Sequence, residues 1–162
     1  MLVNYELFNM SLQNKLIVAA LCNGTVIDHI PSEKLFKVVS ILNLDVYKNL
    51  ITIGNNLEST KIPTKGIIKI SDRFLEEDET NKISLIAPNA NISIIRNFIV
   101  AEKRALTLPS EIREIVLCGN PNCITNNQSV TTKFHVLHHD EELMFKCHYC
   151  EREVKGDEVK IK

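Results

Sequence analysis

The sequence predicts an α+β protein in two modules: an antiparallel sheet carrying two helices, followed by a small β-rich unit. Three observations carry this reading. Up to about residue 101, strand-like β-branched runs and helical stretches follow in the order strand, helix, two strands, helix, strand. Beyond residue 111, four of the five cysteines stand in two close pairs, "CGNPNC" (118–123) and "CHYC" (147–150), among short strand-like runs. Between them "EKRALTLPSE" (102–111) is polar, holds one proline and reads as a hinge.

The totals bound the class. A chain of 162 residues suits one ordinary domain or two small ones. Hydrophobic residues at 44% and charged residues at 24% are a globular balance. A net charge of −1 exerts no bulk pull toward nucleic acid or anionic membrane. No apolar run reaches the roughly 18 residues that span a bilayer. The N-terminal "MLVNYELFNMSLQNK" lacks a basic region and is interrupted by Asn and Glu, so it does not read as a signal peptide. A cytoplasmic location with reduced thiols follows, and an odd five cysteines suits no disulfide framework.

In the first module, residues 1–13 have no clear period and read as an extension. "NKLIVAALCNGTVIDHI" (14–30) is strand material punctuated by Asn23-Gly24; the lone Cys22 reads as a small buried hydrophobe. Pro31 and Ser32 announce a helix with Ser32 as N-cap, and Leu35, Val38, Val39 and Leu42 line one face of it up to Asn43. "LITIGNNL" (50–57) and "GIIKIS" (66–71) are strands around the loop "ESTKIPTK". The acidic "EEDE" (76–79) suits the first turn of a helix that carries Ile83 and Ile86 inward and ends before Pro88, although "KISLIA" also has strand character. "NISIIRNFIVA" (91–101) closes the module as a strand. This order is the split βαβ of a ferredoxin-like α/β sandwich, with both helices on one face.

Both cysteine pairs have metal-ligand spacing, with four residues inside the first and two inside the second. Zinc takes thiolates in a tetrahedral shell, and tight turns deliver them in pairs. The 23 residues between the pairs, with "SVTTKFHVLH" and "ELMFK", allow strands that go out and return. Four thiolates close the shell and leave no open position for catalysis, so the site is structural. His135, His138, His139 and His148 then read as surface or hairpin residues. A zinc ribbon that grips nucleic acid is the competing reading. Residues 112–162 carry seven Lys/Arg against eight Asp/Glu, which is no cationic footprint. A zinc enzyme is the other; no Ser/His/Asp or paired-carboxylate set stands out for it.

A ferredoxin-like sheet names no function by itself. Lys65, Lys69 and Lys103, far apart in sequence, are candidates to converge across one sheet and hold phosphate as point charges.

"GTVIDHIP", "ITIGNNL", "IIKI" and "CGNPNC…CHYCE", in this order and at these spacings, resemble the aspartate carbamoyltransferase regulatory-chain family. The resemblance runs from about Lys15 to the C-terminus. It implies a non-catalytic chain in pyrimidine biosynthesis, with an extension (1–13), a nucleotide-binding allosteric domain (14–106) and a zinc domain (107–162) that contacts the catalytic chain. It implies CTP and ATP as effectors, with UTP acting alongside CTP in some members. It also implies a homodimer through the N-terminal domains, and a dodecamer of two catalytic trimers and three regulatory dimers.

Residue by residue, backbone groups of Val18, Ala20 and Leu21 would read base and ribose. Asp28 would reach the ribose and His29 the phosphates; Lys69 would meet ribose and base, and Ile95 would line the base pocket. Val100 and Lys103 would meet the triphosphate, with Lys65 as a second phosphate contact. Ser93 stands where the family often has Asn, and Phe98 where it often has Tyr, which bears on the balance between CTP and ATP. The zinc would sit on Cys118, Cys123, Cys147 and Cys150, with Asn120, Asn122, Tyr149, Glu151 and Arg152 facing the catalytic chain.

Overall fold

The computed structural model describes residues 20–139, 142–156 and 158–162. The extension 1–13, Val18 and the start of the first predicted strand lie outside the described residues. The first module runs β1 (Gly24–Pro31), α1 (Leu35–Ile41), β2 (Ile51–Glu58), β3 (Thr64–Ser71), α2 (Glu77–Ile86), β4 (Asn91–Arg96) and β5 (Ile99–Ala105). Its strands lie in the order β2-β3-β1-β4-β5, and every neighbouring pair is antiparallel. The first four are the ferredoxin-like order expected from the sequence, and β5 is added at the edge.

Gly24 opens β1 for a steric reason. Its φ is +134°, and a Cβ there would lie 2.0 Å from the Ile70 carbonyl oxygen. The strand therefore starts at Gly24, later than the sequence suggested, and residues 20–23 stand outside the sheet. That exposes Cys22 instead of burying it.

A 3-10 turn (Ser32–Lys34) intervenes before α1, so Ser32 is no N-cap. It is buried, and its Oγ has no hydrogen-bond partner among the described residues. The helical face is otherwise as read: Leu35, Val38 and Leu42 are buried and Val39 packs at the margin. Asn43, at φ +50°, ends the element in the left-handed region that Asn tolerates.

α2 is a helix throughout, so the strand option for "KISLIA" falls away. Glu76 and Glu79 form a reciprocal capping box, and Glu77, Asp78 and Glu79 sit in the first turn. Arg73 ties the two helices together: it donates to the Leu42 carbonyl at the end of α1 and pairs with Glu79 at the start of α2.

"NISIIRNFIVA" is two strands, not one. Asn97 and Phe98 both take positive φ, 51° and 64°, and turn the chain back on itself. Residues 102–105 of the expected hinge complete β5, which leaves 106–110 as the connection.

The second module holds β6 (Glu111–Arg113), β7 (Val116–Leu117), the short α3 (Ile124–Asn127), β8 (Lys133–His139), β9 (Glu142–Cys147), β10 (Glu153–Lys155) and β11 (Lys160–Ile161). The strands form a β10-β9-β8-β6 sheet and a β11-β7 pair, and β8 and β9 are the expected outgoing and returning strands. Phe134, Phe145, Ile112 and Val116 build its core beside the cysteines. Leu85 of α2 belongs to this core, while Ile83 and Ile86 of the same helix belong to the other. No helix among the described residues is long and apolar enough to cross a membrane.

Gly24→Ala is expected to lower stability by at least about 2 kcal/mol, because alanine meets both the clash and the disfavoured φ. Asn43→Gly, at another positive φ, should change it by less than about 1 kcal/mol. Urea midpoints of the two variants check the contrast.

Candidate functional site

The knuckle between β7 and α3 carries Cys118 and Cys123; the end of β9 carries Cys147, and the turn after it carries Cys150. All four sulfur atoms lie within 4.8 Å of one another. Cys118 Sγ is 3.5 Å from Cys150 Sγ, and Cys123 Sγ is 3.8 Å from Cys147 Sγ. A tetrahedral ion with Zn–S bonds of about 2.3 Å needs sulfur edges of about 3.8 Å, so the donor set fits zinc in size as well as in chemistry.

The local hydrogen bonds suit anionic sulfur. Burial pushes the Cys118 thiol up to about 12 in the metal-free chain, against a backbone N–H from Asn120. Burial also raises Cys147 on balance, although the N–H groups of Cys150 and Tyr149 oppose it. At Cys150 burial is outweighed by the Arg152 N–H, the Asn120 side chain and the neighbouring sulfurs, which bring it to about 7. Thr125 donates its hydroxyl to Cys123 Sγ at 3.2 Å. Metal binding deprotonates all four, and these donors then spread the charge.

Thr125, Asn126 and Asn127, missed in the sequence, brace the first knuckle. The Asn126 amide donates to the carbonyls of Cys118 and Asn120, and Asn127 to those of Pro121 and Cys123. The run "TNN" (125–127), one residue beyond Cys123, was the available signal. Asn120 accepts from the Asn122 N–H. Tyr149 is 41% exposed and donates to the Thr131 carbonyl. Glu151 takes φ +57° at the second knuckle, next to the exposed Arg152. Asn120 and Asn122 thus ride on one knuckle, and Tyr149, Glu151 and Arg152 on the other. Exposed Leu117 and Ile124 flank them and were also missed. His135 and His148 meet edge to face at the surface, with ring nitrogens 3.1 Å apart, as surface residues rather than ligands.

The other constellation lies on the sheet. Register makes Thr52, Lys69, Val26, Ser93 and Lys103 one row across all five strands. The next row carries the buried Ile68, Ile27 and Ile92, which face the helices. Side chains alternate along a strand, so the Lys69–Lys103 row is on the face opposite α1 and α2. With strands about 4.8 Å apart, the Lys69 and Lys103 backbones stand about 14 Å from each other. Burial lowers the Lys69 ammonium pKa.

Lys65 stands apart from that row. Its Nζ lies 3.0 Å from Asp28 Oδ1. A bulge in β1 places His29 at φ +61°, with its N–H donating to Asp28 at 2.7 Å and its ring nitrogen 3.3 Å from the Asn91 amide. Asn91 was not singled out in the sequence, where nothing marks it among the other asparagines. Burial alone would raise the Asp28 pKa, but Lys65 and His29 together hold it below its ordinary value. At the opposite end, Ile95 is buried and pairs with Gly24 and Val100. The Phe98 N–H donates to the Cys22 carbonyl at 2.9 Å, which holds Cys22, the residue after Leu21, at the β4–β5 turn. Phe98 and Val100 are exposed there.

Comparison with known proteins covers both modules. Residues 16–107 match the family model for the aspartate carbamoyltransferase regulatory chain, allosteric domain. Residues 110–160 match the model for the metal binding domain of the same chain. The chain is 52% identical over 150 residues to the aspartate carbamoyltransferase regulatory chain of Parabacteroides distasonis, covering 93% of this chain and 97% of that one. It is 54% identical over 144 residues to that of Bacteroides fragilis (89% and 94% covered). It is 48% identical over 147 residues to that of Pyrococcus abyssi (90% and 96% covered). With an allosteric sheet module, a four-cysteine metal module and matches across both, this chain belongs to the family of aspartate carbamoyltransferase regulatory chains, the non-catalytic partners of that enzyme.

Proposed function

We propose that this chain senses CTP and ATP, and UTP alongside CTP, on the open face of its sheet and passes the state of that site to the catalytic chain. The observation that carries the reading is the single row Lys69–Val26–Ser93–Lys103 on the face opposite α1 and α2. A nucleotide laid across β1 and β4 would have Lys69 at its base and ribose and Lys103 at its phosphates. Asp28, His29 and Lys65 would line the far side of the ribose and phosphates. Val18, Ala20, Leu21, Ile95, Phe98 and Val100 would form the base end. Ser93 keeps one hydroxyl in the middle of the row, within reach of a water-bridged contact.

We assign the nucleotide domain to 14–106 and the zinc domain to 107–162. The zinc would be held by Cys118, Cys123, Cys147 and Cys150, and it would supply folding free energy rather than reactivity. Asn120, Asn122, Tyr149, Glu151 and Arg152 would then be presented to the catalytic chain from two stiff knuckles. A homodimer would form through the N-terminal domains. β5 supports this: it is a sheet edge exposed along its length, with Ile99 and Val100 at 69% and 55% exposure. Three such dimers would join two catalytic trimers in a dodecamer.

Control at a distance requires that each nucleotide bind two quaternary states unequally. A coupling of about 1–3 kcal/mol corresponds to roughly 5–150-fold in affinity. CTP would favour the less active state and ATP the more active one.

Titration calorimetry of CTP into the zinc-loaded chain should give saturable binding that Lys103→Ala weakens about tenfold or more, the value of a charge-assisted contact. Absence of binding by CTP, ATP and UTP alike would sink the sensor reading. Stripping the metal with a chelator should remove hydrogen-exchange protection from β8 and β9, leave it in β1 and β3, and abolish assembly with the catalytic chain. Assembly that survives the treatment would refute the docking role of the knuckles. The Asp28 carboxylate, followed by carbon NMR, should titrate below 3.8 and move back up in Lys65→Met. Its depressed pKa means that the pair stabilises the fold above that pH and that the contribution is lost as pH falls through the native value.

A further inference from the structure

Where α1 and the end of α2 meet the β9–β10 hairpin of the metal module, a crevice of about 320 Å³ opens to solvent. Its apolar surface comes from Leu85 and Ile86 on α2 and Leu143 on β9. Its polar rim carries three lysines: Lys34 at the end of the 3-10 turn, Lys37 in the first turn of α1, and Lys155 on β10. No acidic residue lines it among the described residues. Lys34 and Lys37 stand three apart on one helical side, an arrangement of like charges that repels. Neither has an ion-pair or hydrogen-bond partner among the described residues. The size falls at the lower end of ligand pockets, about 300–1,000 Å³, and domain junctions are where such pockets concentrate.

We propose that this junction binds a small phosphate monoester with one apolar ring, the phosphate held by Lys34 and Lys37, Lys155 standing on the opposite rim, and the ring lying on Leu85, Ile86 and Leu143. A divalent anion relieves the repulsion between Lys34 and Lys37, and a single ring matches the short apolar floor. Because the crevice draws its walls from both modules, its occupant would hold them in one relative arrangement. The site is separate from the open face of the sheet, and the proposal does not rest on nucleotide binding there.

Pyridoxal 5′-phosphate is a suitable probe, since it carries a ring, a phosphate and an aldehyde that condenses with a nearby lysine amine to an imine and water. The zinc-loaded full chain is incubated with increasing probe, the imine is reduced with borohydride, and peptides are mapped by mass spectrometry. Labelling of Lys34, Lys37 or Lys155 should saturate and exceed that of exposed Lys48 and Lys162 at least tenfold at low probe concentration. Leu143→Glu removes no lysine and should abolish the saturable part; the Lys34→Ala/Lys37→Ala double variant should reduce labelling of Lys155 at least tenfold. Labelling at the rate of Lys48, saturable labelling that survives Leu143→Glu, or complete competition by CTP would each overturn the proposal.

Discussion

Both helices of the first module pack on the same face of the sheet. β1 and β2 are each antiparallel to the intervening β3, so they run parallel to one another, and α1 is the crossover between them. β3 and β4 are related in the same way through β1, with α2 as their crossover. Right-handed connection of parallel strands then puts both helices on one side. This handedness keeps α1 and α2 off the opposite sheet face, and alternation along the strands decides who stands on it. Ile27, Ile68 and Ile92 turn to the helices, so Val26, Lys69 and Ser93 turn the other way. The place of that row opposite both helices is a consequence of the fold's chirality.

The second module solves a different problem. Its core holds only a few large side chains, chiefly Phe134 and Phe145, and two of its strands are two-residue stubs. A metal clip compensates for what such a core cannot provide. The buried sulfurs of Cys118, Cys123 and Cys147 are themselves part of that core. Asn126 and Asn127 complete it by pinning four carbonyls of the first knuckle. The module also borrows Leu85 from α2, so part of its packing is made by the neighbour.

Much of this was legible in the sequence where the pattern is local. The spacing of Leu35, Val38 and Leu42 and the two cysteine pairs follow from periodicity and ligand geometry. What escaped depends on distant partners or on atypical turn residues. The β4–β5 turn was hidden because Asn97-Phe98 lacks the glycine that usually marks two left-handed residues. Ser32 has the chemistry of a cap, but the intervening 3-10 turn takes it into the interior. Lys65 and Lys69 look alike in sequence. Only the register, and the carboxylate of Asp28, separates them in space.

The composition of β5 has a bearing on the chain before it meets any other. Its first half offers Ile99 and Val100; its second half offers Glu102, Lys103 and Arg104, with Arg104 and Glu102 paired at 3.4 Å. An unpaired strand that was apolar from end to end would template indiscriminate aggregation, and charges are the common defence. Here the defence covers half of the strand, which leaves a short sticky end in fixed register beside a repellent one. In the proposed homodimer the apolar half is the part a second copy would cover, and the charged half would turn other strands away. Solubility and self-recognition would then reside in the same seven residues.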